Sequence, residues 1–264
     1  MSGAEAARAI VEKIADCVRR EVHRVGARRA VIALDGRPHA TIAAALAVRA
    51  LGPSQLHVVA FPPSGAPAAA AVGIGSIDVV DPAPFEEALR RVAPAADRGR
   101  RAAFDARVRA ALLLDAAEAR LAVAIGARSK TDRLLGVGAA FADPAEIDPI
   151  GDLWGTDVRA LAPALGLDAA ALGDDPPLEL PGTAAEGGTL DPTYASVDGL
   201  LRLIVDARLR PRDVVASSSY RRADVQRVGA AIRAARARGA GTIVPAVSAR
   251  PLATEYRFAR DANS

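Results

Sequence analysis

Apolar positions recur at three- and four-residue spacing over residues 4–25, where Ile10, Ile14, Cys17, Val18 and Val22 would line one side of a helix that Gly26 stops. The pattern then changes. Residues 30–34 (Ala-Val-Ile-Ala-Leu) form an unbroken apolar run with β-branched members, which predicts a buried strand. Asp35-Gly36-Arg37-Pro38-His39 reads as a turn. Residues 41–51 read as an alanine-rich helix closed by Gly52-Pro53, and 56–61 as a second strand ended by Pro62-Pro63. A short third strand fits 77–80, followed by helices over 85–92 and 102–119, the latter with Phe104, Val108, Ala111 and Leu112 on its apolar face. A later strand is expected at 121–125, a turn at 126–132 and a loop at 144–149. In the helix expected at 156–165, Thr156 would be the cap and Asp157 would complement the dipole. The Gly-, Pro- and acid-rich stretch 173–192 predicts a long loop. Helices over 196–208 and 224–238 and a last strand at 242–247 complete the reading.

Strand, turn, helix and strand within about thirty residues form a βαβ unit, so the strands should run parallel. The expected fold class is α/β: a doubly wound, mostly parallel sheet with helices on both faces. No internal repeat and no Gly-, Ser- or charge-rich linker divides the chain, so 1–264 reads as one domain. Sheets of this kind bind ligands at the carboxyl ends of their strands, which directs attention to the turns after Leu34, Phe61 and Ile125.

Composition narrows the function classes. A single Cys17 excludes a disulfide framework and a cysteine zinc site. No apolar run approaches the roughly 20 residues that span a bilayer, and the first twenty residues lack a signal-peptide core, so a cytoplasmic protein with no membrane partner is expected. The net charge of +3 is too small to imply nucleic acid. The arginines of 221–238 have no interleaved aromatic beyond Tyr220 and read as a solvated helix face. All but two of the 34 Lys+Arg residues are arginine, the exceptions being Lys13 and Lys130, so a retained lysine draws notice. His39 with Asp35 reads either as an acid/base or metal pair or as a polar turn. Ser217-Ser218-Ser219 has no matching His and acid, and Trp154 reads as packing in the core or a dimer contact.

Three stretches then carry a family resemblance. Arg107-Val108-Arg109 precedes the apolar Leu112-Leu113-Leu114. Gly126-Ala127-Arg128-Ser129-Lys130-Thr131-Asp132 is followed by Gly136-Val137 and by Ala139-Ala140-Phe141-Ala142-Asp143. Asp148-Pro149-Ile150-Gly151-Asp152-Leu153-Trp154-Gly155-Thr156-Asp157-Val158-Arg159-Ala160-Leu161-Ala162 comes next. In that order they resemble the R-x-R helix, the G-T-G-N-K-S-E, G-Y and T-K-Y-G-D segments, and the I-x-P-I-G-D-L-(Y/W)-K-T-x-V-R-x-L-A run of the ammonia-dependent NAD synthetases. Weaker echoes follow at Pro176-Pro177, at Leu190, Tyr194, Asp198 and Leu201, and at Tyr220-Arg221-Arg222.

The resemblance implies an ATP-pyrophosphatase-type α/β fold and a homodimer. It implies a reaction in which ATP and Mg²⁺ adenylate the carboxylate of nicotinic acid adenine dinucleotide and ammonia then displaces AMP to give NAD. Carried over residue by residue, it implies catalytic roles for Lys130, Asp143 and Thr156. It implies nucleotide contacts from Asp35, Gly36, His39, Arg107 and Arg109, and a metal-binding role for Asp132. From the residues alone, Lys130 and Asp132 read as an exposed turn in which Thr131 or Asp132 caps the next helix, and only the register match sets the functional reading level with it.

The chain departs from the pattern where phosphate chemistry is concentrated. The family's S-G-G-x-D-S loop stands here as Asp35-Gly36-Arg37-Pro38-His39-Ala40, so only the first glycine is kept and the metal-binding Asp is His39. A proline removes a backbone donor from that loop, and a neutral imidazole suits Mg²⁺ poorly beside oxygen ligands. Ala139 and Ala140 replace a Thr-Lys pair, Gly155 replaces a Lys, and Ala185-Glu186-Gly187 replaces T-D-E. The expectation is therefore a divergent family member whose adenylation is weakened or lost. The alternative is a pseudoenzyme that acts as a nucleotide-binding or partner subunit.

Overall fold

A computed structural model describes residues 3–93, 98–137, 145–168, 172–178 and 189–239. Helix α1 (Gly3–Arg24) buries Val11, Ala15, Val18 and Val22. Of the expected stripe Val18 and Val22 face inward, but Ile10 and Cys17 are exposed and Ile14 is half-buried, because the buried face is turned about one residue toward Val11 and Ala15. Strand β1 (Ala30–Leu34) has the bounds its apolar run predicts. Helix α2 (Pro38–Leu51) starts earlier than expected, so the assumed turn residues His39 and Ala40 are helical. Pro38 explains the difference. It occupies the first turn, where its fixed φ suits a helix and its missing N–H is not needed.

Strand β2 (Leu56–Ala60) follows, then helix α3 (Gly65–Ala71), where the Pro- and Ala-rich sequence suggests only a turn. Strand β3 (Ile77–Val79), helix α4 (Ala83–Val92) and helix α5 (Arg98–Ala119) lead to strand β4 (Val123–Ile125). The strand expected from 121 begins two residues later because Leu121 ends α5. Its φ is +49°, and the Ala122 N–H returns to the Ala117 carbonyl in a left-handed cap. Helices α6 (Lys130–Leu135), α7 (Gly155–Ala160), α8 (Tyr194–Leu201), α9 (Pro211–Ser217) and α10 (Arg222–Gly239) complete the described chain. Two helices are shorter than expected. Beyond α7 the chain tightens into a 3₁₀ turn at Ala162–Leu165, and beyond α8 it widens into a π-type turn at Arg202–Asp206. The strand expected at 242–247 lies outside the described residues.

The four strands are parallel in the order β3-β2-β1-β4. Ala30, Ile32 and Leu34 face the core made with α1, α2 and α3, while Val31 faces Leu113, Ala116 and Ala117 of α5. Helices therefore cover both faces, as a parallel sheet requires. A second cluster lies beyond this core, where Leu135 and Trp154 meet α8, α9 and α10. The free edge of β4 is covered by residues 145–147, whose Ile147 carbonyl accepts from Gly126 N–H. At the opposite edge, Asp78 of β3 pairs with Arg120 at 2.6 Å and lies 3.1 Å from His57 Nε2 of β2. Burial, and then the Arg120 charge, hold the His57 imidazole below its usual pKa.

Candidate functional site at the switch point

The strand order reverses direction at β1. From β1 the chain winds one way to β2 and β3, and β4 then returns to the other side. In open α/β sheets the ligand crevice lies outside the carboxyl ends of the strands at such a point. The residues at that place are the turn after β1, the N-terminus of α2 and the loop from β4 into α6.

The turn after β1 is satisfied by its own side chains. Asp35 Oδ1 accepts from the Arg37 N–H at 3.2 Å, and Asp35 Oδ2 pairs with Arg37 Nε at 2.8 Å. Gly36, at φ +85°, lies so close to Ser64 that a Cβ would overlap the serine side chain. Gly65 likewise sits against the Leu34 carbonyl, which lets α3 start hard on the ends of β1 and β2.

The loop after β4 is held from below. Gly126 packs against the Asp148 carboxylate, which accepts from the Arg128 N–H and pairs with Arg133. The chain then enters α6 through a capping box. Ser129 Oγ accepts from the Asp132 N–H, and Asp132 Oδ2 accepts from the Ser129 N–H at 2.8 Å. The cap is Ser129 rather than Thr131 or Asp132, and Asp132 closes the box.

His39 and Asp132 come together in the interior, each 5% exposed. His39 Nε2 lies 3.2 Å from the Gly155 carbonyl and Nδ1 lies 3.5 Å from Asp132 Oδ2. The carbonyl can only accept, so Nε2 carries the proton there. Tyr194 of α8 stacks obliquely on the imidazole at a centroid distance of 4.5 Å, and its hydroxyl donates to Asp132 Oδ1 at 2.7 Å. The ring lies directly on Gly155, where a Cβ would overlap it. Burial, and then the Asp132 charge, raise the Tyr194 pKa well above its usual value, so it remains a donor. Burial alone would raise the Asp132 pKa. The polar groups of His39, then of Tyr194 and Ser129, outweigh that and hold the carboxyl below its usual value.

The sign of that shift gives a testable consequence. A depressed carboxylate stabilises the fold above its unfolded pKa, about 3.9, and the contribution is lost as pH falls through the folded value. Acid titration followed by the fluorescence of Trp154, the sole tryptophan, should show stability falling below about pH 4. Asp132→Asn should flatten that slope. Equal slopes in both proteins would show that Asp132 is not the group responsible.

A second buried carboxylate, Asp198, ties three helices. It accepts from the Thr131 hydroxyl at 2.5 Å and from the Thr156 N–H and hydroxyl at 2.8 Å each. The Thr131 oxygen accepts in turn from the Gly155 N–H at 3.0 Å. Thr156 therefore does not cap α7, whose N-cap position is Trp154.

Lys130 is not brought to Asp132. It leaves the other side of α6, 3.1 Å from Asp206 Oδ1 and 4.3 Å above the Trp154 ring. Trp154 Nε1 donates to Asp206 Oδ2 at 3.0 Å, and Arg202 lies over the same ring. Trp154 is core packing as expected, with a polar edge that the sequence did not reveal. Lys130 and then Trp154 donate to Asp206 and hold its carboxyl below the usual pKa range. Arg109 stacks 4.5 Å above Phe61, at the carboxyl end of β2, with a buried Nη1 that has no hydrogen-bond partner. Arg107 is exposed on α5, and Asp143 lies outside the described residues.

Magnesium, which the resemblance places at Asp132, does not fit this arrangement. That carboxylate is buried, and about three of its four acceptor positions already take hydrogen bonds. The His39 ring fills the space where waters and phosphate oxygens would complete the shell of a magnesium ion. Sequence reasoning missed Ser129, Thr131, Asp148, Asp206 and Arg202 as site residues, and carried Tyr194 and Asp198 only as echoes. Two signals were available. Ser129-x-x-Asp132 has capping-box spacing, and Asp198 interrupts the otherwise apolar Val197, Leu200 and Leu201.

A parallel sheet wound both ways from β1 is a doubly wound α/β fold, and it brings the turn after β1 and the β4–α6 loop to the place where such folds take their ligands. Within that class the comparison is specific. The model of the NAD synthase family matches residues 10–238, and the chain belongs to that family. It is 29% identical over 250 residues to the NH(3)-dependent NAD(+) synthetase of Trichlorobacter lovleyi, covering 91% of each chain. Among solved structures it is similar to the NH3-dependent NAD synthetase of Campylobacter jejuni, solved with a nitrate ion. That match has TM-score 0.72 and 18% identity, and covers 94% of this chain and all of that one. It is also similar to the NMN synthetase of Francisella tularensis, with TM-score 0.68 and 18% identity, covering 93% and 99%. Among the described residues no helix is long and apolar enough to cross a membrane.

Proposed function

We propose that this protein is a divergent NAD synthetase-family member whose adenylation step is weakened or lost, and whose crevice holds a nucleotide or dinucleotide without efficiently activating it. The observation that carries this reading is the turn after β1. A loop that cradles pyrophosphate needs free N–H groups and room for the anion. Here Asp35 supplies an anion from within, accepting the Arg37 N–H and pairing with its guanidinium. Pro38 offers no N–H, and Ser64 closes on Gly36. Lys130, the lysine in register for catalysis, is engaged by Asp206.

What supports retained binding is Arg109, whose orphaned buried Nη1 beside Phe61 leaves a donor for a ligand acceptor at the end of β2. The same reading includes a homodimer and a cytoplasmic location. ATP would be bound as a nucleotide, and any magnesium would arrive on its phosphates.

The test is direct. Protein is mixed with nicotinic acid adenine dinucleotide, ATP, Mg²⁺ and ammonia, and AMP and pyrophosphate are followed beside the T. lovleyi relative. Each lost transition-state donor costs roughly 10²–10³ in rate, so AMP formation should be at least about 10³-fold slower. Calorimetry should still detect nucleotide, more weakly in Arg109→Ala. AMP formation at the relative's rate, abolished by Lys130→Ala, would overturn the lost-adenylation half. Absence of any nucleotide binding would overturn the other half.

A further inference from the structure

We propose that the interior of this site is metal-free by construction: the His39 imidazole takes the space, and Ser129 and Tyr194 take most of the acceptor positions, that a divalent cation at Asp132 would need. The proposal shares with the functional reading only the premise that this crevice is the family's nucleotide site, and its test needs no nucleotide.

The lone-pair count is the first argument. An ionised carboxylate offers about four acceptor positions. Asp132 Oδ2 takes the Ser129 N–H at 2.8 Å and the Ser129 hydroxyl at 2.7 Å, and it faces His39 Nδ1 at 3.5 Å. Oδ1 takes the Tyr194 hydroxyl at 2.7 Å. The neighbouring oxygens are engaged as well. The Gly155 carbonyl meets His39 Nε2, and both oxygens of Asp198 hold threonine donors. Among the described residues no group of three or more His, Cys, Asp or Glu is arranged to hold a metal.

The second argument is steric. His39 is fixed by the first turn of α2, behind Pro38, and by the Tyr194 ring stacked on it. Tyr194 is fixed in turn by Gly155, which leaves room for the ring and for nothing larger than hydrogen at its own α-carbon. The imidazole therefore cannot swing aside without unpacking α8 from α7. Asp132 is held in a box on its own helix, so it cannot turn outward without uncapping α6.

The experiment titrates the protein with MnCl₂ alone, following free Mn²⁺ by electron paramagnetic resonance and stability by thermal melting, both against EDTA. The wild type should take up no Mn²⁺ at sub-millimolar concentration, and its Tm should not move. His39→Asp sets two carboxylates face to face. It should bind one equivalent, melt lower in EDTA than the wild type, and recover several degrees with Mn²⁺. His39→Asn, neutral and close in size, should take up none, which separates loss of the ring from gain of a ligand. One equivalent bound by the wild type and lost in Asp132→Asn would overturn the proposal. So would a folded His39→Asp that binds none. If His39→Asp fails to fold under either condition, the wild-type and Asp132→Asn arms still decide. AMP formation in the adenylation assay, with no Mn²⁺ uptake here, would sink the functional reading and leave this one standing.

Discussion

Asp198→Ala should lower stability by about 2–4 kcal/mol, because it leaves a backbone N–H and two hydroxyls without their acceptor. The carboxylate is 1% exposed and receives three donors: the Thr131 hydroxyl, the Thr156 N–H and the Thr156 hydroxyl. Hydrogen bonds to a charged acceptor contribute about 1.5–3 kcal/mol each, and an orphaned buried donor costs about 1–3 kcal/mol. Simple addition would overshoot, because the two hydroxyls can rotate toward other acceptors and the N–H cannot. A loss of this size is a large fraction of the 5–15 kcal/mol that holds an ordinary domain. Asp198→Asn keeps an acceptor oxygen and should lose roughly half as much. Urea unfolding with m held constant measures the difference. A change under about 1 kcal/mol for the alanine variant would show that water replaces the carboxylate without penalty.

Gly155→Ala should cost about 3 kcal/mol, through the ring packed on the glycine. The new Cβ would fall inside the Tyr194 ring. Overpacking of this kind costs about 1–3 kcal/mol. The displaced ring also gives up its hydrogen bond to Asp132 and its packing on His39. Tyr194→Phe isolates the hydrogen bond and should cost about 1.5–2 kcal/mol. In Gly155→Ala combined with Tyr194→Ala the clash is gone, so the double variant should be markedly less destabilised than the sum of the two single ones. Strict additivity would place Tyr194 elsewhere. The same geometry bears on the family's lysine at this position, because restoring it would require Tyr194 to leave the interior.

Much of the frame was legible in sequence because local chemistry decided it. The apolar run at 30–34 reads as a buried strand and is one. Of the helical stripe read over 4–25, by contrast, only Val18 and Val22 are buried in the core, since three- and four-residue spacing sets the period but not which of two adjacent faces docks. Helix α3 was missed because Gly65-Ala66-Pro67-Ala68 and its alanines carry no polar face to set a period. Helix α9 went unread because its seven residues are too few for one. The start of α2 is ambiguous in sequence because Pro38 serves equally as a turn former and as a first-turn helical residue. At the site, the family register located Lys130, Asp132 and Gly155 but could not say which side of α6 each side chain leaves. That depends on α8 and its π-type extension, which dock from more than sixty residues away through Tyr194, Asp198 and Asp206. Such long-range contacts leave no periodic trace.

The strand order also sets a sequence of events. Ala30 finds Leu56 after a single 14-residue helix, whereas it meets Val123 only after four helices and two further strands have passed. Closing the longer loop carries the greater entropic cost, and non-local parallel pairing is slow. The β1–β2–β3 half is therefore the early-forming part of the molecule and β4 the late arrival. The turn after β1, where the candidate site lies, is the seam between them.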